Sequence, residues 1–268
     1  MYMRRIRETR MIKSLLGMMG AAIALLTLPS CLDDDDSYSV ENSYSLGDMW
    51  VAVATVVPEG DNTYYLRPDN GNTLWPAASN YPGYKPKADQ RAFVNFTILA
   101  DSTGSQLNGY SYFIKVNAIH DILTKPLSPD LGAKNDSVYG TDPVNILDKK
   151  DVWVGDGYLN VYFETYWGGK TAHYINLIHP SDEVNPYAVE FRHNAFDDPQ
   201  STKAAGRVAF NLASLPDTEG KTVDLIVRYK NSENGRDSIV VKYNTDKGAL
   251  ETTAPTLSND AYNMTDIL

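Results

Sequence analysis

Between residues 50 and 243, apolar side chains recur at every second position in short runs, and turn signals separate the runs. A period of two is the mark of half-buried strands, and strands so patterned must pair into sheets with one face on a core. Few segments carry a helical period, and eighteen tyrosines add to the β-like composition. The chain therefore reads as all-β. With a single cysteine, at Cys31, no intramolecular disulfide can form, so the fold depends on its apolar core.

The first strand, Trp50–Val57, is apolar at both parities, which predicts burial of both its faces. Pro58-Glu59-Gly60-Asp61-Asn62 and Pro68-Asp69-Asn70-Gly71 make the next two turns, and Asn-Gly is a strong hairpin signal. Strand three, Asn72–Trp75, ends at Pro76, and a loop with Pro82 and Pro86 follows. Strand four sets Val94, Phe96 and Ile98 on one face, and strand five sets Tyr110, Tyr112, Ile114 and Val116 together. Five such strands fit a small OB-type barrel, and an SH3-like barrel fits the count nearly as well.

Residues 121–150 lose the alternation and read as an inter-domain crossing with a short helical turn around Ile119–Thr124. Seven strand-like runs follow: Val152–Val154, Leu159–Thr165, His173–Ile178, Tyr187–His193, Val208–Leu212, Val223–Tyr229 and Ile239–Tyr243. Their inward sets are expected to be Leu159/Val161/Phe163, Val189/Phe191, Val208/Phe210/Leu212, Val223/Leu225/Val227 and Ile239/Val241/Tyr243. Seven short strands argue for an immunoglobulin-like β-sandwich, without the Cys…Trp…Cys pattern of true immunoglobulin domains. The expected organisation is a signal peptide over 1–31, an acidic and polar tether over 32–45, a barrel over 46–120, the crossing over 121–150, a sandwich over 151–245 and a polar tail over 246–268.

The N-terminal region is an address. Arg4, Arg5, Arg7, Arg10 and Lys13 precede an apolar run from Leu15 to Leu28, long enough for a signal sequence and short for a membrane span. Leu28-Pro29-Ser30-Cys31 resembles a bacterial lipobox, which makes Cys31 the lipidated residue; Pro29 is a less usual occupant of its place. Lipid chains at Cys31 would anchor the protein, so the membrane is a partner through that anchor only. Asp33, Asp34, Asp35 and Asp36 form a solvated tether. They also resemble the acidic export signal of Bacteroides-type surface lipoproteins, which implies an outer-membrane protein facing outward.

The chain carries a net charge of −10. Without residues 1–31 it loses five basic residues and one acidic one, leaving 19 against 33, or −14. Nucleic-acid binding needs a basic stripe and is not expected.

No Gly-x-Ser-x-Gly, His-Glu-x-x-His, Walker or EF-hand pattern is present. Gly168-Gly169-Lys170-Thr171 reads as a turn, because the earlier glycine of a phosphate loop is missing. His173 and His179 share parity but stand about 20 Å apart on an extended strand, too far to share a metal. His193, just before Asp197 and Asp198, reads as a hydrogen-bonded structural histidine. No metal, cofactor or catalytic residue is expected. Paired carboxylates of a hydrolase would come from distant strands, and nothing singles out such a pair.

Two aromatic clusters are the candidate contacts for an extracellular protein or glycan. Tyr158, Tyr162 and Tyr166 share the parity opposite the apolar face of their strand. Tyrosine pairs a flat apolar ring with a polar tip, which suits both kinds of partner. Packing on the N-terminal domain, or standing as ordinary sheet surface, is the plainer role for this stripe. Trp75, Tyr81 and Tyr84 surround the proline-rich loop, whose plainer role is to close the barrel end. Asp136-Ser137-Val138 resembles the sequence at which Bacteroides-type bacteria O-glycosylate exported proteins.

Several phrases together carry a family resemblance. They are Leu46-Gly47-Asp48-Met49-Trp50-Val51, Thr73-Leu74-Trp75-Pro76-Ala77-Ala78-Ser79, Gln90-Arg91-Ala92-Phe93-Val94-Asn95, Asp156-Gly157-Tyr158-Leu159-Asn160-Val161 and Glu190-Phe191-Arg192-His193-Asn194. The chain resembles the NigD-like lipoproteins of Bacteroides-type bacteria. The resemblance implies an N-terminal OB domain, a C-terminal β-sandwich and no enzymatic residues. The family's name comes from a gene beside a bacteriocin gene, which implies self-protection by gene position alone.

Overall fold

The computed structural model describes residues 49–101, 108–233 and 235–246. Cys31 and Asp33 to Asp36 lie outside them. Five strands come first: β1 (Met49–Pro58), β2 (Tyr64–Pro68), β3 (Leu74–Ser79), β4 (Gln90–Asp101) and β5 (Tyr112–Asp121). They close a barrel in the order β1-β2-β3-β5-β4, with β3 and β5 parallel and β4 returning antiparallel to β1. This is the five-stranded OB arrangement, and it decides against the SH3-like alternative.

The interior is filled by the predicted alternation: Val94, Phe96 and Ile98 from β4 meet Tyr112, Ile114 and Val116 from β5, together with Leu66 and Leu74. Both faces of β1 are engaged, as its composition requires. Ala52, Ala54 and Val56 point into the barrel, while Val51 and Val53 join Phe93, Ile122, Tyr158 and Ala209 in a separate cluster against the sandwich.

Two local expectations are corrected. β3 does not stop at Pro76 but runs on to Ser79, with a register shift between Pro76 and Ala78. Its pairing with β2 is a single register position, Leu66↔Leu74, so the proline interrupts little of a ladder. β5 begins at Tyr112 rather than Tyr110, because Asn108 and Gly109 take positive φ angles of 51° and 90° and end the preceding turn there.

The crossing segment contributes more than a linker. No helical turn forms at Ile119–Thr124; those residues finish β5 and open β6 (Leu123–Pro126). β6 pairs in parallel with β11 (Thr202–Asn211) and so becomes an eighth sandwich strand. The helical piece lies later, as a turn at Gly132–Lys134 followed by α1 (Asn135–Tyr139). The other strands are β7 (Val152–Gly155), β8 (Tyr158–Trp167), β9 (Tyr174–Ile178), β10 (Ala188–Asn194), β12 (Val223–Asn231) and β13 (Gly235–Tyr243). Two four-stranded sheets result, ordered β6-β11-β8-β7 and β13-β12-β10-β9. Besides β6–β11, the β10–β12 pair is also parallel.

All the predicted inward sets of the sandwich lie in one core or pack against it. Phe191 links the two sheets, its ring 5.4 Å from that of Phe163 and 6.0 Å from that of Phe210. Gly206 leaves room there, since a Cβ on it would stand 2.5 Å from the Phe163 ring. Among the described residues no helix is long and apolar enough to cross a membrane.

Candidate functional site

The two aromatic clusters meet different fates. β8 turns Leu159, Val161 and Phe163 into the sandwich, so its opposite face looks towards the barrel. Tyr158 and Asn160 are buried there. Burial, with Asp89 beside it, pushes the Tyr158 hydroxyl up to about 12. Tyr162 is half-buried and lies over the Arg207 guanidinium, which also lies over Phe93. These residues line a hollow of about 270 Å³ at the open edge of the seam. Tyr166, at 36% exposure, is the most open of the three.

A buried polar network joins barrel and sandwich at this face. Arg91 is fully buried and donates from Nη2 to Asp69 Oδ1 at 2.5 Å and from Nη1 to Thr55 Oγ1 at 3.0 Å. Asp69 also accepts from Trp153 Nε1 at 2.8 Å. Thr55 donates to Asp156, which accepts from Arg67 Nε at 2.8 Å. Arg91 Nη2 reaches Asn160 Oδ1 at 3.3 Å, and its guanidinium sits 5.3 Å above the Tyr158 ring centre. Asp156 and Gly157, with φ of 48° and 84°, form the tight β7–β8 turn that aims the Asp156 carboxylate at the barrel. Gly155 fits closely, for a Cβ on it would fall 2.1 Å from Asp69 Cγ. A buried charge needs a paired, hydrogen-bonded partner. This network supplies one for each of Arg91, Asp69 and Asp156.

The barrel's outer face is different. Tyr65 on β2 and Trp75 on β3 point outward, opposite Leu66 and Leu74. Tyr110 comes off the turn before β5 and stands between them, its ring centre 5.8 Å from that of Tyr65 and 5.0 Å from that of Trp75. Its hydroxyl donates to Glu59 Oε2 at 2.6 Å, in the β1–β2 loop. Partial desolvation and that bond push the hydroxyl up to about 12. All three rings are half-buried. This is the strand 2–3 face with its flanking loops, the surface OB barrels use for ligands.

Trp75 therefore keeps company other than the proline-rich loop. Tyr84 packs on Tyr64, 5.3 Å between ring centres, and donates to Asp121 Oδ1 at 2.7 Å. Tyr81 is 43% exposed beside it, its carbonyl accepting from the Tyr84 amide. Tyr65 and Tyr110 were missed by sequence reasoning. Tyr65 carried a usable signal, since its parity is opposite to that of Leu66; Tyr110 was hidden by assigning it to the strand.

The histidines form a chain that spacing alone does not show. His193 Nε2 lies 2.9 Å from His173 Nδ1, and His173 Nε2 lies 3.2 Å from Asp198 Oδ2. Asp198 also accepts from the Gly168 amide, which, with His173, holds its carboxyl below the usual range. Burial, then His173 beside it, lowers the pKa of the His193 ring. His179 lies apart, 2.9 Å from the Pro180 carbonyl. Among the described residues no three His, Cys, Asp or Glu side chains are placed to hold a metal ion.

Fold and faces define a two-domain β protein in which an OB barrel is fixed to a β-sandwich. Residues 53–122 match the NigD-like N-terminal OB domain, and residues 126–243 match the NigD-like C-terminal beta sandwich domain. The chain belongs to the NigD-like family. A solved toxin-related protein from Parabacteroides distasonis is 64% identical, with 75% of this chain and 96% of that one covered and a TM-score of 0.69. A protein of unknown function from Bacteroides vulgatus is 24% identical, covering 77% and 96% with a TM-score of 0.61. A NigD-like immunity protein from Bacteroides caccae is 19% identical, covering 80% and 100% with a TM-score of 0.54. The last two show likeness of fold. No curated protein matches the chain.

Proposed function

We propose that this protein is a non-catalytic, lipid-anchored envelope protein that binds an extracellular saccharide on the aromatic face of its barrel. The observation that carries the reading is the Tyr65–Tyr110–Trp75 cluster of tilted rings, half-exposed on the strand 2–3 face with the Glu59 carboxylate at its edge. Aromatic faces take the C–H faces of a sugar ring, and polar tips take its hydroxyls. Nucleic-acid bases would stack on the same rings, but the acidic balance of the chain opposes a phosphate backbone. The carboxylates around the sandwich have other partners: Glu190 pairs with Arg192, and Asp142 accepts from the Ala195 amide.

Cys31 carries the lipid in this reading, and Asp33 to Asp36 direct the protein to face outward. Protease treatment of intact cells tests the location, with Cys31→Ala as the unanchored control. Removal of the protein by protease supports an outward face, and protection of the lipidated protein places it in the periplasm. Fluorescence titration with neutral oligosaccharides tests the barrel face, because stacking on Trp75 would shift its emission; a Trp75→Phe protein should lose that shift.

Self-protection against a bacteriocin is the second reading, favoured by the description of the 64%-identical relative as toxin-related. Deleting the gene and challenging the cells with bacteriocins of related bacteria separates the two, since unchanged sensitivity removes this second reading.

A further inference from the structure

The sandwich carries its own cleft, of about 560 Å³, between the outer face of β10-β12-β13 and the chain around Asp136–Asp142. That volume falls in the range of about 300–1,000 Å³ usual for small-ligand sites. Three neighbouring strands place cations along it: Arg192 on β10, Arg228 and Lys230 on β12, and Arg236 on β13. Two of the four are neutralised. Arg192 pairs with Asp136 and Glu190, each at 2.6 Å, and Arg228 pairs with Glu183.

Lys230 and Arg236 are not. They stand directly opposite each other in the β12–β13 register, both are exposed, and neither has an ion-pair partner among the described residues. Like charges directly opposed in a sheet repel, and in so acidic a chain an opposed, uncompensated cationic pair is unexpected. A bridging anion would remove the repulsion. A guanidinium fork takes an oxyanion on two bonds while an ammonium supplies a point charge, so the two together suit one carboxylate or sulfate group.

The rest of the lining tells which anion. Thr141 and Ser238 offer hydroxyls, and Asp142 and Asp237, which already accept from the Ala195 amide and from Tyr229, Asn231 and the Ser238 amide, add carboxylates with remaining lone pairs. Carboxylates so placed would repel a polyphosphate but would accept bonds from sugar hydroxyls. We infer that this cleft binds a saccharide carrying a single oxyanion, a uronic acid or a sulfated sugar, with the charge held between Lys230 and Arg236. The inference stands independently of the barrel face, and the two fail separately.

Calorimetry on the intact protein tests it with three probes: a disaccharide ending in glucuronic acid, its glucose counterpart and inorganic phosphate. The acidic disaccharide should bind at least tenfold more tightly than either of the others. The double variant Lys230→Gln/Arg236→Gln should weaken it at least tenfold with a melting temperature that is unchanged or raised, since the opposed charges are gone. Lys230→Arg should retain binding, and Trp75→Ala/Tyr110→Ala should leave it unaltered. Equal affinity for the neutral sugar or for phosphate in the Trp75→Ala/Tyr110→Ala protein, whose barrel face is removed, would overturn the assignment. So would unchanged affinity in the double variant, or no binding of the acidic disaccharide at millimolar concentration.

Discussion

The outer face of β8 and the outer face of β2–β3 both carry aromatic residues opposite an apolar set, Tyr158, Tyr162 and Tyr166 on the first and Tyr65 and Trp75 on the second. They end in opposite states. On β8, Tyr158 and Asn160 are closed over by the barrel and tied into the Arg91 network. On β2–β3, Tyr65 and Trp75 are half-buried with no sandwich residue packed on them among the described residues, and Tyr110 joins them from the neighbouring turn. Alternation decides which residues share a face; it does not decide what lies against that face. The first surface became a structural joint, and the second is the face on which we propose that a ligand binds.

The largest test of that contrast is Arg91→Ala. Removing one partner of a fully buried pair leaves Asp69 uncompensated, which costs about 3–5 kcal/mol. Denaturant unfolding should show the loss; a change under about 1 kcal/mol would mean that the network does not hold the seam. Gly155→Ala drives a methyl into Asp69 and is expected to cost about 1–3 kcal/mol by the same measurement.

Acidification acts elsewhere, on the His193–His173–Asp198 chain. The folded His193 pKa is depressed from its ordinary 6.5, so below that pH the unfolded chain binds protons that the folded one refuses. Asp198 is also depressed, from 3.8, so its contribution is present above that value and lost as pH falls through the folded pKa. Both signs agree: melting temperature should fall as pH drops from 7 to 5 and again below 4. Asp198→Asn should flatten the lower step. Smallest is Trp75→Ala, expected to cost about 1 kcal/mol in a thermal melt, because its ring is half-exposed and its main contact is one neighbouring aromatic.

Much of the fold was legible because period-two patterning is a local property. It placed both cores and foretold that β1 would be buried on both faces. It missed β6, since Leu-Thr-Lys-Pro has no alternation to read and joins the sandwich through parallel pairing with a strand about eighty residues later. The histidine chain was out of reach for a related reason. His173 and His193 meet because β9 and β10 pair in one register, and register is set by the assembled sheets rather than by spacing. Two of the phrases that carry the family resemblance, Gln90–Asn95 and Asp156–Val161, supply Arg91, Phe93, Asp156, Tyr158 and Asn160 to the seam. That resemblance therefore reports in good part how the two domains are joined, and says less about what the protein binds.

The most direct test of the account is binding of the intact protein to an array of neutral and acidic oligosaccharides, with Trp75→Ala/Tyr110→Ala and Tyr166→Ala beside it. The account predicts that neutral glycans bind the parent and the Tyr166→Ala protein alike, and that the Trp75/Tyr110 variant loses at least tenfold. If no glycan binds the parent, or if the Tyr166 variant loses binding while the Trp75/Tyr110 variant keeps it, the barrel face is not the ligand site.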